Sequence, residues 1–256
     1  MSVIICQGIV DGIIVILGAC IFSFLNVIVY RTPRKMSFIK GFSQCPSCGH
    51  RLYAPDLIPV FSYLFLRGKC RYCGERIGIR DTLVELSGGL TALFCFHGFE
   101  SVGAAVTAFA FLCILTVTSL LDIDTMEIED GCWVGAALLG VVAVFTMPGL
   151  TIAARAAGAL CVSLPMLILA LAVPGAFGGG DIKLMAGCGL FLGWKMTLVA
   201  AAVAVFAGGA WGVYLLASGK ADRKAVFAFG PFLCAGMAVA LFWGEELLRW
   251  YIGLIF

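Results

Sequence analysis

The chain has 256 residues, of which 62% are hydrophobic and only 12% are charged, and its net charge is +2. Soluble globular domains carry about 25% charged residues, so this composition argues strongly against a soluble enzyme or a nucleic-acid-binding domain. The charge is also uneven, because ten of the seventeen basic residues lie between Arg31 and Arg80 with only two acidic ones. The composition predicts a membrane protein with several spans and one basic, water-exposed insert.

The first predicted element is a membrane span from about Gly8 to Tyr30, long enough to cross roughly 30 Å of hydrocarbon. It is not typical of a cleaved signal peptide, because no basic segment precedes it and Asp11 stands where Lys or Arg is expected. Positive charges follow it, at Arg31, Arg34, Lys35 and Lys40. The positive-inside rule therefore predicts that the N-terminus lies outside and that residue 31 onward enters the cytoplasm.

The second element is the insert, residues 31–81, which lacks long aliphatic runs and is too short for a large core. It contains two Cys-x-x-Cys motifs, whose four cysteines are the candidate metal ligands Cys45, Cys48, Cys70 and Cys73. Four thiolates in two such turns match a closed, structural zinc site, whereas a reducing cytoplasm does not favour disulfides. An unmetallated redox or inert role is the alternative, and His50 could replace one thiolate.

Seven further apolar helices follow the insert, and the sixth of the eight is too short to cross a membrane alone. We place them at Thr82–Phe99, Val102–Leu121, Cys132–Pro148, Ile152–Val173, Leu184–Gly193, Met196–Ala217 and Phe229–Trp243. A half-helix of this kind is expected to line a cavity rather than to face lipid. The predicted fold is an all-α polytopic membrane protein, divided into a first helix (1–30), a cytoplasmic zinc-knuckle insert (31–81) and a membrane-embedded core (82–256).

Acidic residues at a membrane edge are costly and indicate function by default. Asp122 begins a run of five carboxylates that ends at Asp130, and Asp181 ends the motif Gly178-Gly179-Gly180-Asp181 at the start of the short helix. The predicted topology places both sites at the cytoplasmic face, and the glycines allow another segment to approach closely. The alternative is an N-cap at Asp181 and a solvated acidic loop, which we favour for Asp124, Glu127 and Glu129.

Two carboxylates that share a site do not easily both ionise, so the pair offers a general acid and a general base at once. Water-mediated peptide hydrolysis needs both, because one group activates water while the other protonates the carbonyl oxygen. Asp122 and Asp181 are therefore the predicted catalytic residues.

Together these motifs resemble the type IV prepilin leader peptidases, a bacterial branch of the GxGD aspartyl proteases, over nearly the whole chain. The matching segments are Ser23-Phe24-Leu25-Asn26-Val27 with Arg31-Thr32-Pro33, the cysteine motifs within Ser43–Cys48 and Leu66–Cys73, Ile58-Pro59 and Ser62-Tyr63-Leu64 between them, Gly178–Leu184, and Phe229–Phe232.

The resemblance implies an enzyme of the bacterial inner membrane that removes the short basic leader of prepilins or pseudopilins on the cytoplasmic side, usually after Gly. Its partners are then these substrates and membrane lipid, with no nucleic acid. Many family members also methylate the new N-terminus with S-adenosylmethionine, a function associated with the cysteine-containing insert. No Gly-rich nucleotide loop is visible in the sequence, so the residues that bind this cofactor are unknown.

The chain departs from the family pattern at two positions. Ile128-Glu129-Asp130 stands where the family usually has Ile-Pro-Asp, which keeps Asp124 as a second candidate for the first catalytic carboxylate. Asp56-Leu57 stands where the family often has Asp-Asn, and this position bears on methylation. We also expect Asp124, Glu127, Glu129 and Asp130 to supply the counter-charge for a basic leader.

Two other classes of function compete with the peptidase. The first is a proton- or cation-coupled transporter or channel, which the short sixth helix suits. The second is a non-enzymatic scaffold that presents a zinc module to cytoplasmic partners. The cysteine insert and the position of both aspartates at the edge of the membrane argue against the transporter, and the Gly-Gly-Gly-Asp turn argues against the scaffold.

Overall fold

The computed structural model describes residues 2–173, 175–219 and 227–255, and the regular structure of these residues is helical, with two isolated β-bridges. By its internal contacts the chain separates into two units, Met1–Phe109 and Ala110–Phe256. The three-part division predicted from the sequence stays a proposal.

The first unit is built on two long helices, α1 (Ser2–Arg31) and α3 (Ile79–Gly98), which pack along each other. They cross where glycines remove the side chains. A Cβ atom at Gly18 would lie 2.5 Å from the carbonyl oxygen of Gly88, and one at Gly88 would overlap the ring of Phe22. This close approach is typical of helix pairs in membranes, where small residues let the backbones touch.

Between these helices lies the insert, which has little regular structure. A single 3-10 turn occupies Ala54–Asp56, and one short helix, α2, occupies Phe61–Phe65. The two β-bridges, Gln44–Arg51 and Lys69–Arg76, each close a turn that carries two cysteines.

Helix α4 (Val102–Thr125) leads into the second unit, in which the longest helix, α8 (Gly179–Ala217), is central. The other helices are α5 (Asp130–Thr146), α6 (Ile152–Cys161), α7 (Ser163–Ala172) and α9 (Gly230–Ile255). Helix α8 packs against α5, α6, α7 and α9. Glycines again make the crossings close, because Gly187 faces the backbone of Trp133 and Gly236 faces that of Ala200.

A break in α8 separates the short predicted sixth helix from the seventh. Gly193 has φ 72° and ψ 165°, which is not helical and which residues with a side chain rarely adopt. The helix is thus divided into residues 179–192 and 194–217. The sequence interpretation of a half-helix ending at Gly193 agrees with this geometry.

Arg155 of α6 binds backbone carbonyls just before this break, at the end of the half-helix. The residue is buried, with 3% of its surface exposed. It donates hydrogen bonds to the carbonyl oxygens of Ala143 (2.8 Å), Met147 (2.9 Å), Phe191 (3.0 Å) and Leu190 (3.3 Å). The last carbonyls of a helix lack partners within the helix, and one cation here binds carbonyls at the end of α5 and at the end of the half-helix. The Ala143 carbonyl also accepts the Met147 N–H.

Five helices of the described residues are long and apolar enough to cross a membrane, which confirms the predicted all-α membrane protein. They are Ile4–Arg31, Val102–Thr125, Ile152–Ala172, Gly179–Ala217 and Gly230–Leu254, and a shorter apolar helix spans Asp130–Thr146. The span Ile152–Ala172 consists of α6 and α7 together. The predicted span at Thr82–Phe99 is helical as part of α3 up to Gly98, and Phe99 is extended. The number of membrane crossings stays a prediction.

Candidate active site and four-cysteine cluster

Asp122 lies in the last turn of α4 and is 6% exposed. Its carboxylate meets the first residue of α9, because the backbone N–H of Gly230 donates a hydrogen bond of 2.8 Å to Asp122 Oδ2. The N-terminus of a helix has free N–H groups and a partial positive charge, so it is a favourable partner for a carboxylate. Asp122 is therefore held by a segment more than a hundred residues away in the chain.

Asp181 is the third residue of α8, whose N-cap is Gly178. A Cβ atom at Gly178 would lie 3.1 Å from Asp181 Oδ2, and one at Gly180 would lie 2.8 Å from Ile128 Cβ. Gly179, between them, has open space around it. The structure thus gives a steric reason for the pattern Gly-x-Gly-Asp, in which a side chain at the first or third position, but not at the second, would crowd a neighbouring residue.

The two aspartates open into one cavity of about 440 Å³. Its lining is formed by Asp122, residues 126–130, residues 178–181 and Lys183. Asp124 is exposed and is absent from this lining, because residues two apart on a helix point to nearly opposite sides. The structure brings together Asp122 and Asp181, the pair predicted from the sequence, and it leaves Asp124 outside.

Charge at this cavity is strongly negative. Five carboxyl groups and one ammonium group line it, and Glu127 and Glu129 are exposed at its rim. Asp130 is engaged, because it accepts hydrogen bonds from Lys183 Nζ (2.7 Å) and from the indole N–H of Trp133 (2.9 Å). Of the predicted counter-charges, Glu127 and Glu129 are therefore the better placed to meet a cationic ligand.

The four predicted cysteine ligands form one cluster in the first unit. The sulfur atoms of Cys45, Cys48, Cys70 and Cys73 all lie within 4.8 Å of one another, and no other group of three or more potential metal ligands occurs among the residues the structure describes. Cys45 Sγ and Cys73 Sγ are 3.9 Å apart. The ring of His50 stacks on that of Tyr72 instead, with 3.7 Å between centroids, so all four positions of the cluster are thiols.

Both cysteine turns have the same backbone geometry. In the first turn, Cys45 N–H bonds to the His50 carbonyl (3.0 Å), and Gly49 N–H bonds to the Cys45 carbonyl (2.9 Å). The second turn repeats these bonds at matching positions, from Cys70 to Glu75 and from Gly74 to Cys70. Gly49 and Gly74 have φ of 70° and 73°. Glycine adopts this left-handed region without steric strain, whereas residues with a side chain rarely do. The repeated Cys-Gly step, Cys48-Gly49 and Cys73-Gly74, is the sequence signal of this shared geometry.

Backbone hydrogen bonds prepare one thiol of the cluster for ionisation. The pKa of Cys45 falls to about 6, chiefly because the backbone N–H groups of Cys48 and Ser47 stabilise its thiolate. The pKa of Cys73 rises instead to about 12: a backbone hydrogen bond from Glu75 favours its thiolate, but burial and hydrogen bonds with the neighbouring thiols outweigh that effect. A divalent cation would remove this conflict, because it stabilises all four thiolates together.

Asp56 ties the segment between the two turns to the second turn. Its buried carboxylate accepts hydrogen bonds from Arg71 Nε (2.6 Å), the Tyr72 hydroxyl (3.0 Å) and the Tyr53 backbone (3.2 Å). Burial alone would raise the pKa of Asp56, but these bonds outweigh it and lower the pKa below its ordinary value. In the sequence, Asp56 stands out only as half of an altered Asp-Asn motif, and no local pattern signals this structural role.

Comparisons with known proteins agree with both halves of this description. Residues 16–99 match the model of the bacterial peptidase A24 N-terminal domain, and residues 109–213 match that of the type IV leader peptidase family. No solved structure matches the chain.

Three similar proteins, each called prepilin leader peptidase/N-methyltransferase, come from different bacteria. The protein of Burkholderia pseudomallei strain 1026b is 32% identical, and the match covers 90% of this chain and 84% of the relative. The Bacillus subtilis strain 168 protein is 31% identical over 94% and 97% of the two chains, and the Legionella pneumophila protein is 30% identical over 90% of each. At this identity and coverage, the chain belongs to the type IV leader peptidase family.

Proposed function

We propose that this member of the type IV leader peptidase family is a membrane aspartyl endopeptidase, which removes the basic leader of prepilins or pseudopilins. The reaction takes place at the cytoplasmic face of the bacterial inner membrane, where the leader meets the apolar segment of the substrate. The observation that carries the proposal is the shared cavity of Asp122 and Asp181 at the ends of apolar helices. The names of the relatives supply the substrate class.

In the proposed reaction, one carboxylate of the pair takes a proton from water, and the water oxygen attacks the scissile carbonyl carbon. The other carboxyl group gives its proton to the carbonyl oxygen. The tetrahedral intermediate then collapses, the C–N bond breaks, and the amine leaves with a proton returned by the pair. The two groups titrate as a unit, so the acid and base roles belong to the pair rather than to fixed residues.

A transporter does not account for this arrangement. Asp122 lies in the last turn of a 24-residue helix, and Asp181 lies in the first turn of α8, so both carboxylates are at helix ends rather than at mid-helix. A transport site lies near the bilayer midplane, so it would place the two carboxylates near the middle of the membrane-spanning helices.

The four-cysteine cluster is proposed to hold one structural zinc ion. A tetrahedral site with Zn–S bonds of about 2.3 Å has sulfur–sulfur distances of about 3.8 Å. The spacing of 3.9 Å between Cys45 Sγ and Cys73 Sγ supports that fit. Bound zinc would supply charge neutralisation and a cross-link, and four protein ligands leave no position for water.

We also propose that the enzyme methylates the new N-terminal amine with S-adenosylmethionine, because all three relatives carry N-methyltransferase in their names. The residues that would hold this cofactor stay unassigned. Methyl transfer would follow cleavage, since the free amine exists only after the leader has left.

Co-expression with a candidate prepilin tests both activities through the mass of the prepilin N-terminus. Loss of the leader is expected with the wild-type enzyme, and the mass of one added methyl group is expected if methylation occurs. Asp122→Asn and Asp181→Asn should each abolish cleavage while the protein still accumulates, because Asn keeps the size but cannot move the proton. Asp124→Asn is the matched control and should retain activity. Cleavage by Asp122→Asn together with inactive Asp124→Asn would reverse the assignment.

A further inference from the structure

We infer that Gly230, the first residue of α9, is a positioning residue for Asp122 and must be glycine for that reason. The inference rests on the proposed catalytic role of Asp122. This role adds a third helix, α9, to the site, because the backbone of α9 orients the Asp122 carboxylate of α4.

The hydrogen bond is the first observation. Gly230 N–H lies 2.8 Å from Asp122 Oδ2, and both groups are buried. The other N–H groups of this helix start are already used, because Phe232 (3.0 Å) and Leu233 (3.2 Å) both donate to the carbonyl of Phe229. Pro231 has no N–H at all. Gly230 therefore supplies the donor that the first turn has available for Asp122.

The space around Gly230 is the second observation. A Cβ atom there would lie 2.7 Å from Asp122 Oδ2, 3.1 Å from its Cγ and 3.3 Å from its Cβ. All three of these nearest atoms belong to the one aspartate. Gly230 is not among the glycines with positive φ, so its backbone conformation is open to other residues. Glycine is needed here to leave room for the carboxylate and not to make a turn.

These two observations predict what a side chain at position 230 would do. It would push the Asp122 carboxylate away from its donor and out of line with Asp181. A displacement of about 1 Å in a catalytic group can lower turnover on the order of a hundredfold. Substrate binding depends on other contacts, so KM should change much less.

The test compares Gly230→Ala with Gly236→Ala in the full-length purified protein, using a prepilin as substrate. Gly236 is a matched control, because it lies on the same helix and a side chain there would overlap the Ala200 carbonyl in the packing with α8. Gly230→Ala should lower kcat on the order of a hundredfold with KM within about twofold. Gly236→Ala should lower the Tm and leave kcat per folded molecule near wild type. Wild-type kcat in Gly230→Ala, or an equal loss in Gly236→Ala, would overturn the inference.

A double-mutant cycle in Tm gives a measurement that does not depend on activity. The loss of Tm caused by Gly230→Ala should be smaller when Asp122 is also changed to Ala, because the two nearest crowding atoms, Oδ2 and Cγ, are gone. Additive losses would overturn the inference even if Gly230→Ala accumulates poorly. Cleavage by Asp122→Asn would refute the proposed catalytic role, whereas an essential Asp122 with a normal Gly230→Ala enzyme would refute the positioning role alone.

Discussion

The cysteine cluster and the aspartate cavity are assembled in opposite ways. Each half of the cluster is one local turn, in which the first cysteine exchanges backbone hydrogen bonds with residues four and five positions further along. The aspartate cavity instead joins the end of α4, the loop after it and the start of α8, and the start of α9 holds the Asp122 carboxylate. A local turn needs only its own residues and a metal, whereas the cavity needs the packing of the whole second unit.

Removing two ligands should give the largest effect and should break only the local site. The change is Cys48→Ser with Cys73→Ser, and metal content is measured on the purified protein. We expect about one zinc per wild-type chain and none in the double mutant, because two ligands cannot close the shell. The insert should also become sensitive to protease, since structural zinc contributes on the order of 10 kcal/mol to small domains.

An exposed pair of cysteines outside the cluster, Cys6 and Cys20, provides the control. Cys6→Ser with Cys20→Ser should keep its zinc and its protease resistance. Zinc retained after loss of Cys48 and Cys73 would contradict the ligand assignment.

Arg155→Ala should give the next largest effect, this time on the packed unit. The substitution removes the guanidinium donor from four carbonyl oxygens at the ends of α5 and of the half-helix, of which the Ala143 carbonyl keeps the Met147 N–H. A buried carbonyl oxygen left without a donor costs about 1–3 kcal/mol, so the Tm of the protein should fall by several degrees. Exposed Arg249→Ala is the matched control and should leave the Tm nearly unchanged.

The steric account of the Gly-x-Gly-Asp motif predicts a smaller, more selective effect. Gly178→Ala brings a Cβ atom to 3.1 Å from Asp181 Oδ2, whereas the space at Gly179 is open. Gly178→Ala should therefore lower kcat by about ten- to a hundredfold through misplacement of the carboxylate. Gly179→Ala should stay within about twofold of the wild type. Equal losses in the two variants would show that helix initiation, rather than crowding, explains the motif.

Neutralising the rim of the cavity should give the smallest effect. Glu127→Gln with Glu129→Gln is expected to raise KM for a basic leader a few-fold and to leave kcat nearly unchanged, since exposed charge pairs are individually weak. The difference in KM between this double variant and the wild type should shrink at high salt, because ions screen exposed charges. Asp130→Asn serves as the contrast, since this residue is paired with Lys183 and should act on local structure rather than on leader binding. A collapse of kcat with unchanged KM would instead place the two glutamates in the catalytic machinery.

Much of this protein could be predicted from the amino-acid sequence, because hydropathy and short motifs are local properties. The apolar runs predicted the helices, and a change in composition marked the insert. Two Cys-x-x-Cys motifs identified the cluster, because two cysteines three positions apart in one turn can reach the same metal ion. Even the break at Gly193 was signalled by a run too short to span a bilayer.

The tertiary structure alone decided which distant groups serve Asp122 and Asp181. Nothing local distinguishes Asp122 from Asp124, and their opposite directions matter only once α4 packs in its observed orientation. Likewise, Gly230 was visible only as part of a family motif, although a glycine–proline step at a helix start is a recognisable signal. Its contact with Asp122 joins residues 108 positions apart, and such a contact depends on how helices pack rather than on the sequence around either residue.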